Sequence, residues 1–307
     1  MTETSPVLHH VQCPDPQGGH RMAYWQWGEP AAAHVVLCVH GLARQGRDFD
    51  TLARALCARS SVPLRVVCPD VVGRGQSDWL QDSALYQPPT YVADMLALLA
   101  QLAPQTLDYV GTSMGGVIGM ALAGQPGLPL PAPLRRLVLN DVGPAIRWEA
   151  IARIGTYIGN TGRFASLQAA ADAMGAISAS FGPHTPQQWL ALCAPMVRSV
   201  AGEPGMLTLH YDPAIAVPIR ALTQEAVQQG EAVAWKLYDA IAARTLLLRG
   251  ADSDLLARDT AAEMSRRGPR ARLVEFAGVG HAPTLIAQDQ VDCVTDFLLG
   301  TDGTDGA

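Results

Sequence analysis

Tyr109-Val110-Gly111-Thr112-Ser113-Met114-Gly115-Gly116 is the stretch on which the reading of the whole chain turns. The apolar run from Leu107 to Val110 has strand character, Val117 to Ala123 has helical character, and Ser113 stands at the turn between them. A strand that passes straight into a helix forces the turn residue into strained backbone angles, and side chains two positions away on either side would collide. Gly111 and Gly115 meet that demand. The pattern is that of a nucleophile elbow, which presents a hydroxyl at the carboxyl end of a strand beside the positive N-terminus of a helix. A serine used in this way needs a base, an acid and a site for developing negative charge.

Composition bounds what surrounds the elbow. A chain of 307 residues, 49% hydrophobic and 16% charged, can bury a large core as two domains or as one domain carrying an insertion. The net charge is −6, no Lys/Arg run occurs and Lys236 is the sole lysine, so nothing favours nucleic acid or an anionic membrane as a partner. Met1-Thr2-Glu3-Thr4-Ser5-Pro6 lacks the basic and apolar segments of a secretory signal, and no apolar stretch reaches membrane-spanning length. A cytoplasmic location is therefore expected. Cys13, Cys38, Cys57, Cys68, Cys193 and Cys293 show no C-x-x-C spacing and read as free, mostly buried thiols. The sequence leaves a homodimer open.

Outward from the elbow, strands and helices alternate. Val7 to Val11 and Arg21 to Trp27 read as an antiparallel hairpin around the turn-rich segment 14–19. His34 to Val39 is continuously apolar, as in a strand buried on both faces of a parallel sheet. Then follow a helix near Asp48 to Cys57, a strand at Leu64 to Cys68, a helix near Tyr91 to Leu102, the elbow, and a strand at Arg136 to Leu139. Strands at Thr245 to Leu248 and Arg272 to Phe276, with helices near Ala257 to Ser265 and Ala287 to Leu299, complete an α/β fold with a mostly parallel sheet and helices on both faces. Between Gly143 and about Gly230 the alternation gives way to helical patterns without a clear buried strand. The expected organisation is a core of residues 1–143 and 231–300, a helical cap inserted at 144–230, and a disordered Gly- and Asp-rich tail at 301–307. Ligand sites of open α/β sheets lie beyond the carboxyl ends of the strands, so an insertion leaving from such an end would roof the site.

Candidates for the partners of Ser113 come from the same edge. His281, in Gly278-Val279-Gly280-His281, follows the last strand and is the best base. His40, at the end of the first parallel strand, is its rival and suits a structural role in shaping the adjacent loop. Arg249-Gly250-Ala251-Asp252-Ser253-Asp254 offers two acids, of which Asp254 is preferred over Asp252, with Asp141 after the preceding strand as a third candidate. Each of these acids could equally serve as a turn or helix-cap residue.

The order Ser113, Asp254, His281 is the order of the α/β-hydrolase triad. Over roughly residues 20 to 300 the chain resembles that superfamily, through His40-Gly41-Leu42, Asp70-Val71-Val72-Gly73-Arg74-Gly75-Gln76-Ser77-Asp78, the elbow, and the acid and histidine loops. The Ser113-Met114-Gly115-Gly116 elbow and single helical cap are similar to small serine esterases and lactone hydrolases, carbon–carbon bond hydrolases of the meta-cleavage type, and cofactor-free haloperoxidases. The resemblance implies an oxyanion hole formed by the backbone N–H groups of Leu42 and Met114, and hydrolysis of a small to medium ester or lactone through an acyl-enzyme, with neither metal nor organic cofactor. His40, Arg44, Trp148 and Trp189 are candidate substrate contacts, with Ile151 and Ile154 as further wall positions. Arg44 could bind a substrate carboxylate or pair with Asp48 or Asp50, and the cap residues could be plain core. The loop His40-Gly41-Leu42-Ala43-Arg44-Gln45 lacks the glycine-rich form common in the carbon–carbon enzymes, and a serine at 113 excludes the haloalkane dehalogenase pattern. Some proteins of this superfamily keep the triad yet act as small-molecule receptors, so fold does not settle activity.

Overall fold

A computed structural model describes residues 5–300; the tail expected at 301–307 lies outside them. In chain order the elements are β1 (Val7–Cys13), β2 (His20–Gly28), β3 (His34–Val39), α1 (Asp50–Arg59), β4 (Leu64–Pro69), α2 (Pro88–Leu102), β5 (Thr106–Thr112), α3 (Met114–Gly124) and β6 (Leu134–Asn140). Next come α4 (Trp148–Tyr157), α5 (Leu167–Ile177), α6 (Pro186–Cys193), β7 (Val197–Ser199), β8 (Leu207–Leu209), α7 (Ala216–Ala221) and α8 (Gln224–Asp239). The chain closes with β9 (Arg244–Gly250), α9 (Arg258–Met264), β10 (Arg272–Phe276) and α10 (Gln288–Leu299).

Eight strands form one sheet in the order β1-β2-β4-β3-β5-β6-β9-β10. The first two pairings are antiparallel and the rest parallel, as the hairpin and the continuous apolar runs require. The reason β3 is apolar throughout is visible in its packing. Val35, Leu37 and Val39 point into a layer with α2, α3, α8 and α9, whereas Val36 and Cys38 point into a layer with α1 and α10. All five of those side chains are fully buried.

Residues between β6 and β9 do not form one uniform helical insertion. β7 and β8 make a short antiparallel hairpin that the helical periodicity around it concealed. The boundary expected at 230/231 falls inside α8, and α8 packs on α3: a Cβ added at Gly124 would lie 1.9 Å from the Leu237 carbonyl oxygen. Buried Tyr238 donates its hydroxyl to the Met264 carbonyl at 2.6 Å, so α8 belongs to the helical layer of the sheet. The segment from α4 to β8 is tied down on two sides. Gly75 N–H donates to His210 O and Asp212 N–H to Gly73 O on one side, and Gly280 N–H donates to Ser180 O on the other.

The two glycines that flank Ser113 are there for want of space. A Cβ at Gly115 would sit 2.0 Å from the Val39 carbonyl oxygen, and one at Gly111 would sit 2.4 Å from the Gly115 carbonyl oxygen. Both obstacles are backbone, so relief requires moving β3 or α3. Gly115→Ala should therefore destabilise by about 3 kcal/mol or more, at the upper end of overpacking costs. Chemical denaturation measures this, and a variant as stable as the wild type would contradict the close approach.

Candidate active site

Ser113 lies between β5 and α3, at the N-cap of the helix, with φ 52° and ψ −115°, a strained conformation for any residue but glycine. Its side chain makes no capping bond to the helix. The hydroxyl instead lies 2.9 Å from His281 Nε2, and His281 Nδ1 lies 2.7 Å from Asp141 Oδ2. An ionised carboxylate can only accept, so Nδ1 carries the proton and the Nε2 lone pair faces the serine hydroxyl. His281 retains only a small opening to solvent, and Asp141 has none.

The acid is the point at which sequence reasoning and structure part. Asp141, the residue after β6, faces His281, and neither Asp254 nor Asp252 does. Asp141 adopts φ 56° and is fully buried. Its Oδ1 accepts from Gly250 N–H at 2.9 Å, and its Oδ2 accepts from the Ser253 hydroxyl at 2.6 Å as well as from His281. Along the loop after β9 the side chains alternate, so Ser253 points inward while Asp252 and Asp254 on either side are exposed. Asp254 accepts from Arg153 Nη2 at 2.6 Å, and Asp252 donates its N–H to the Val279 carbonyl. The loop expected to supply the acid supplies the serine that orients it. The sheet order explains this: β6 lies beside β5, so its end is adjacent to Ser113, whereas β9 is one strand further away.

Neighbouring groups hold these strand ends in register. Buried Asn140, beside Asp141, donates from Nδ2 to Thr112 Oγ1 at 3.0 Å and to the Pro283 carbonyl at 2.8 Å, joining the ends of β5 and β6 to the histidine loop. The loop after β3 approaches from the other side, where a Cβ on Gly41 would be 3.7 Å from the Ser113 Cβ. The N–H groups of Leu42 and Met114 have no protein acceptor among the described residues. Arg74, fully buried, sets the posture of both residues: its Nε donates to the Leu42 carbonyl at 2.8 Å and its Nη2 lies 3.6 Å from Met114 Sδ. Among the described residues no carboxylate pairs with Arg74; Tyr86 and Tyr91 offer it their ring faces.

His40, weighed as a structural residue and as a substrate contact, has both ring nitrogens engaged within the protein. Burial pushes its pKa down to about 3, so the ring is neutral; Nδ1 donates to the Gly41 carbonyl at 2.7 Å and Nε2 accepts from Val71 N–H at 2.9 Å. Arg44 is paired with Asp48 through two 2.7 Å bonds, yet it also lines the cavity beside the site.

That cavity, about 200 Å³, is bounded by Leu42 and His281 on the sheet side. Residues between β6 and β9 supply most of its remaining wall, including Ile154, Ile158, Phe181 and Tyr211. Trp148, Ile151 and Trp189 do not line it. Trp189 instead stacks on Phe181 and meets the His184 ring at a tilt inside the insertion, because its helix turns that face toward α5. Sequence reading missed Arg153, Tyr157 and Tyr211 as lining residues; only their place on the insertion could have hinted at it. Among the described residues, one group has the side-chain chemistry of a metal site, Cys13, His20 and Asp94, and there His20 is already engaged by Asp15 at 3.1 Å and Asp94 at 3.0 Å. All six cysteines are free, four of them buried. No helix of the described residues is long and apolar enough to cross a membrane.

A mostly parallel eight-stranded sheet with a strained serine at a strand-to-helix turn defines the class, and residues 36–292 match the sequence profile of the alpha/beta hydrolase family. The chain belongs to that family. It is 50% identical over 297 residues to a 3-hydroxybutyrate-oligomer hydrolase of Cupriavidus necator, covering 96% of this chain and 99% of that one. A 2-hydroxymuconate semialdehyde hydrolase of Pseudomonas putida is 34% identical over 151 residues, 49% of this chain and 50% of that one. Among solved structures, an alpha/beta hydrolase from Novosphingobium aromaticivorans superposes with a TM-score of 0.81 at 34% identity, covering 96% of this chain and 98% of that one.

Proposed function

We propose that this chain is a serine ester hydrolase that forms an acyl-enzyme at Ser113 and takes short 3-hydroxybutyrate oligoesters as substrates. The observation that carries the reading is the continuous relay from Ser113 Oγ through His281 to Asp141, at 2.9 and 2.7 Å. His281 takes the Ser113 proton as the oxygen attacks the ester carbonyl, and Asp141 stabilises the imidazolium. The carbonyl oxygen, now negative, is received by the Leu42 and Met114 N–H groups, which have no other acceptor among the described residues and so suit that task. His281 returns the proton to the leaving alcohol. It then activates a water that releases the acid and restores Ser113.

The segment from α4 to β8 acts as a cap over the cavity, excluding bulk water and selecting the acyl chain. A cavity near 200 Å³ is small for a ligand site and suits short esters. Lactones present the same carbonyl and fall within the same chemistry. The 50% identity to a 3-hydroxybutyrate-oligomer hydrolase over nearly the whole of both chains favours 3-hydroxybutyrate esters, whereas the 2-hydroxymuconate semialdehyde hydrolase matches only half of either chain.

The test is release of acid from 3-hydroxybutyrate dimers and trimers, followed by pH-stat, together with titration by a p-nitrophenyl alkylphosphonate. Turnover is expected, with one phosphonyl group per chain recovered on the Ser113 peptide. A properly folded protein that neither cleaves the oligomers nor takes the label would overturn the proposal.

A further inference from the structure

We infer that Arg153 forms a carboxylate-binding subsite at the outer end of the cavity, so that the favoured substrates are oligoesters bearing a free acid terminus. The inference rests on the reading of the cavity as the ester-binding site. Among the described residues no Asp or Glu lines that cavity, while two arginines, Arg44 and Arg153, do. The two are not equivalent. Arg44 directs both Nε and Nη2 at Asp48 in a pair largely withdrawn from solvent, with side chains 15% and 17% exposed. That fork is already fully used.

Arg153, on α4, shares a side-chain hydrogen bond with Tyr157 and donates from Nη2 to Asp254 Oδ2 at 2.6 Å, an ion pair with side chains 46% and 49% exposed. An exposed ion pair of this kind contributes little stability, so an incoming carboxylate can displace Asp254 or share the guanidinium with it. Asp254 itself does not line the cavity. Tyr157, one helical turn after Arg153, lines the same rim and is itself exposed, while His281 and Leu42 bound the inner end. A short oligoester can thus place a carbonyl at Ser113 and its terminal carboxylate toward α4. Capping that terminus as a methyl ester removes the charge and leaves the scissile bond intact.

The experiment measures binding and turnover separately. Dissociation constants of the 3-hydroxybutyrate dimer and of its methyl ester are determined by calorimetry in Ser113→Ala and in Ser113→Ala/Arg153→Gln, and KM and kcat in the wild type, Arg153→Gln and Arg153→Lys. Loss of Arg153 should weaken the free acid about 10- to 100-fold, the range expected of a charge-assisted hydrogen bond, and change the methyl ester less than twofold. In turnover the same change should appear in KM with kcat preserved, and Arg153→Lys should recover part of it. An equal loss for both ligands, or no loss for either, overturns the subsite. If the wild type turns over neither compound, the esterase reading fails; the calorimetric difference still decides the subsite, with absence of binding by the free acid counting against it.

Discussion

Asp141→Asn should lower kcat for a neutral p-nitrophenyl ester by about four orders of magnitude, the loss seen when the triad acid of a serine protease is made an amide. The physical cause is the tautomer. Asp141 Oδ2 sits 2.7 Å from His281 Nδ1 and, as an acceptor, holds the proton there. An asparagine at 141 can donate its amide N–H to Nδ1, which moves the ring proton to Nε2. The nitrogen 2.9 Å from Ser113 Oγ would then be a donor, unable to take the hydroxyl proton. Asp252→Asn and Asp254→Asn should each retain kcat within about threefold, because both side chains are exposed and neither faces the histidine. Thermal unfolding separates a chemical defect from a folding one, since Asp141 also accepts from Gly250 and Ser253. If Asp254→Asn carried the large loss and Asp141→Asn did not, the assignment of the acid would be wrong.

Ser113→Ala should have the largest effect of all, about a million-fold on kcat, because nucleophile and base act as a unit and removal of the nucleophile leaves only the binding and oxyanion contributions. The phosphonate label should vanish with it. The same position makes an opposite prediction for stability. Ser113 occupies φ 52° and ψ −115°, a region in which a side chain is strained and glycine is not. Ser113→Gly should therefore be equally inactive yet more stable than the wild type by about 1 kcal/mol or more, read from denaturant midpoints at unchanged m. Function at this elbow holds a backbone conformation that stability alone would not choose. An active Ser113→Ala variant would instead point to direct attack by water.

What was legible in the chain follows from local rules. The alternation of apolar runs with helical periodicity marks a parallel sheet wherever both faces of a strand must be buried, as Val35 to Val39 are. A serine between Gly111 and Gly115 marks the elbow because the Val39 and Gly115 carbonyls leave no room for a Cβ. His281 was legible for a related reason: a histidine on the glycine-rich loop after the last strand must emerge at the carboxyl edge of the sheet. The hairpin β7–β8 and the true extent of α8 were not legible, because strands of three residues are too short to show a period and no sequence signal marks where the inserted segment rejoins the helical layer of the sheet.

The acid needed the tertiary structure. The three candidate aspartates stand after two strands at the same edge, and position along the chain does not say which strand end lies next to which. Only the order β5-β6-β9-β10 brings Asp141 beside Ser113, and only the direction in which the loop after β9 turns its side chains puts Ser253 inside and Asp254 out against Arg153. The same holds for the cavity. Arg153, Tyr157 and Tyr211 meet one another there because the insertion folds back over the sheet, whereas Trp148 and Trp189, the more conspicuous residues in the sequence, face elsewhere. A strand, a helix and an elbow are set by neighbours a few residues away, but a relay of hydrogen bonds and the lining of a cavity are set by contacts across more than a hundred residues, which only the folded chain brings together.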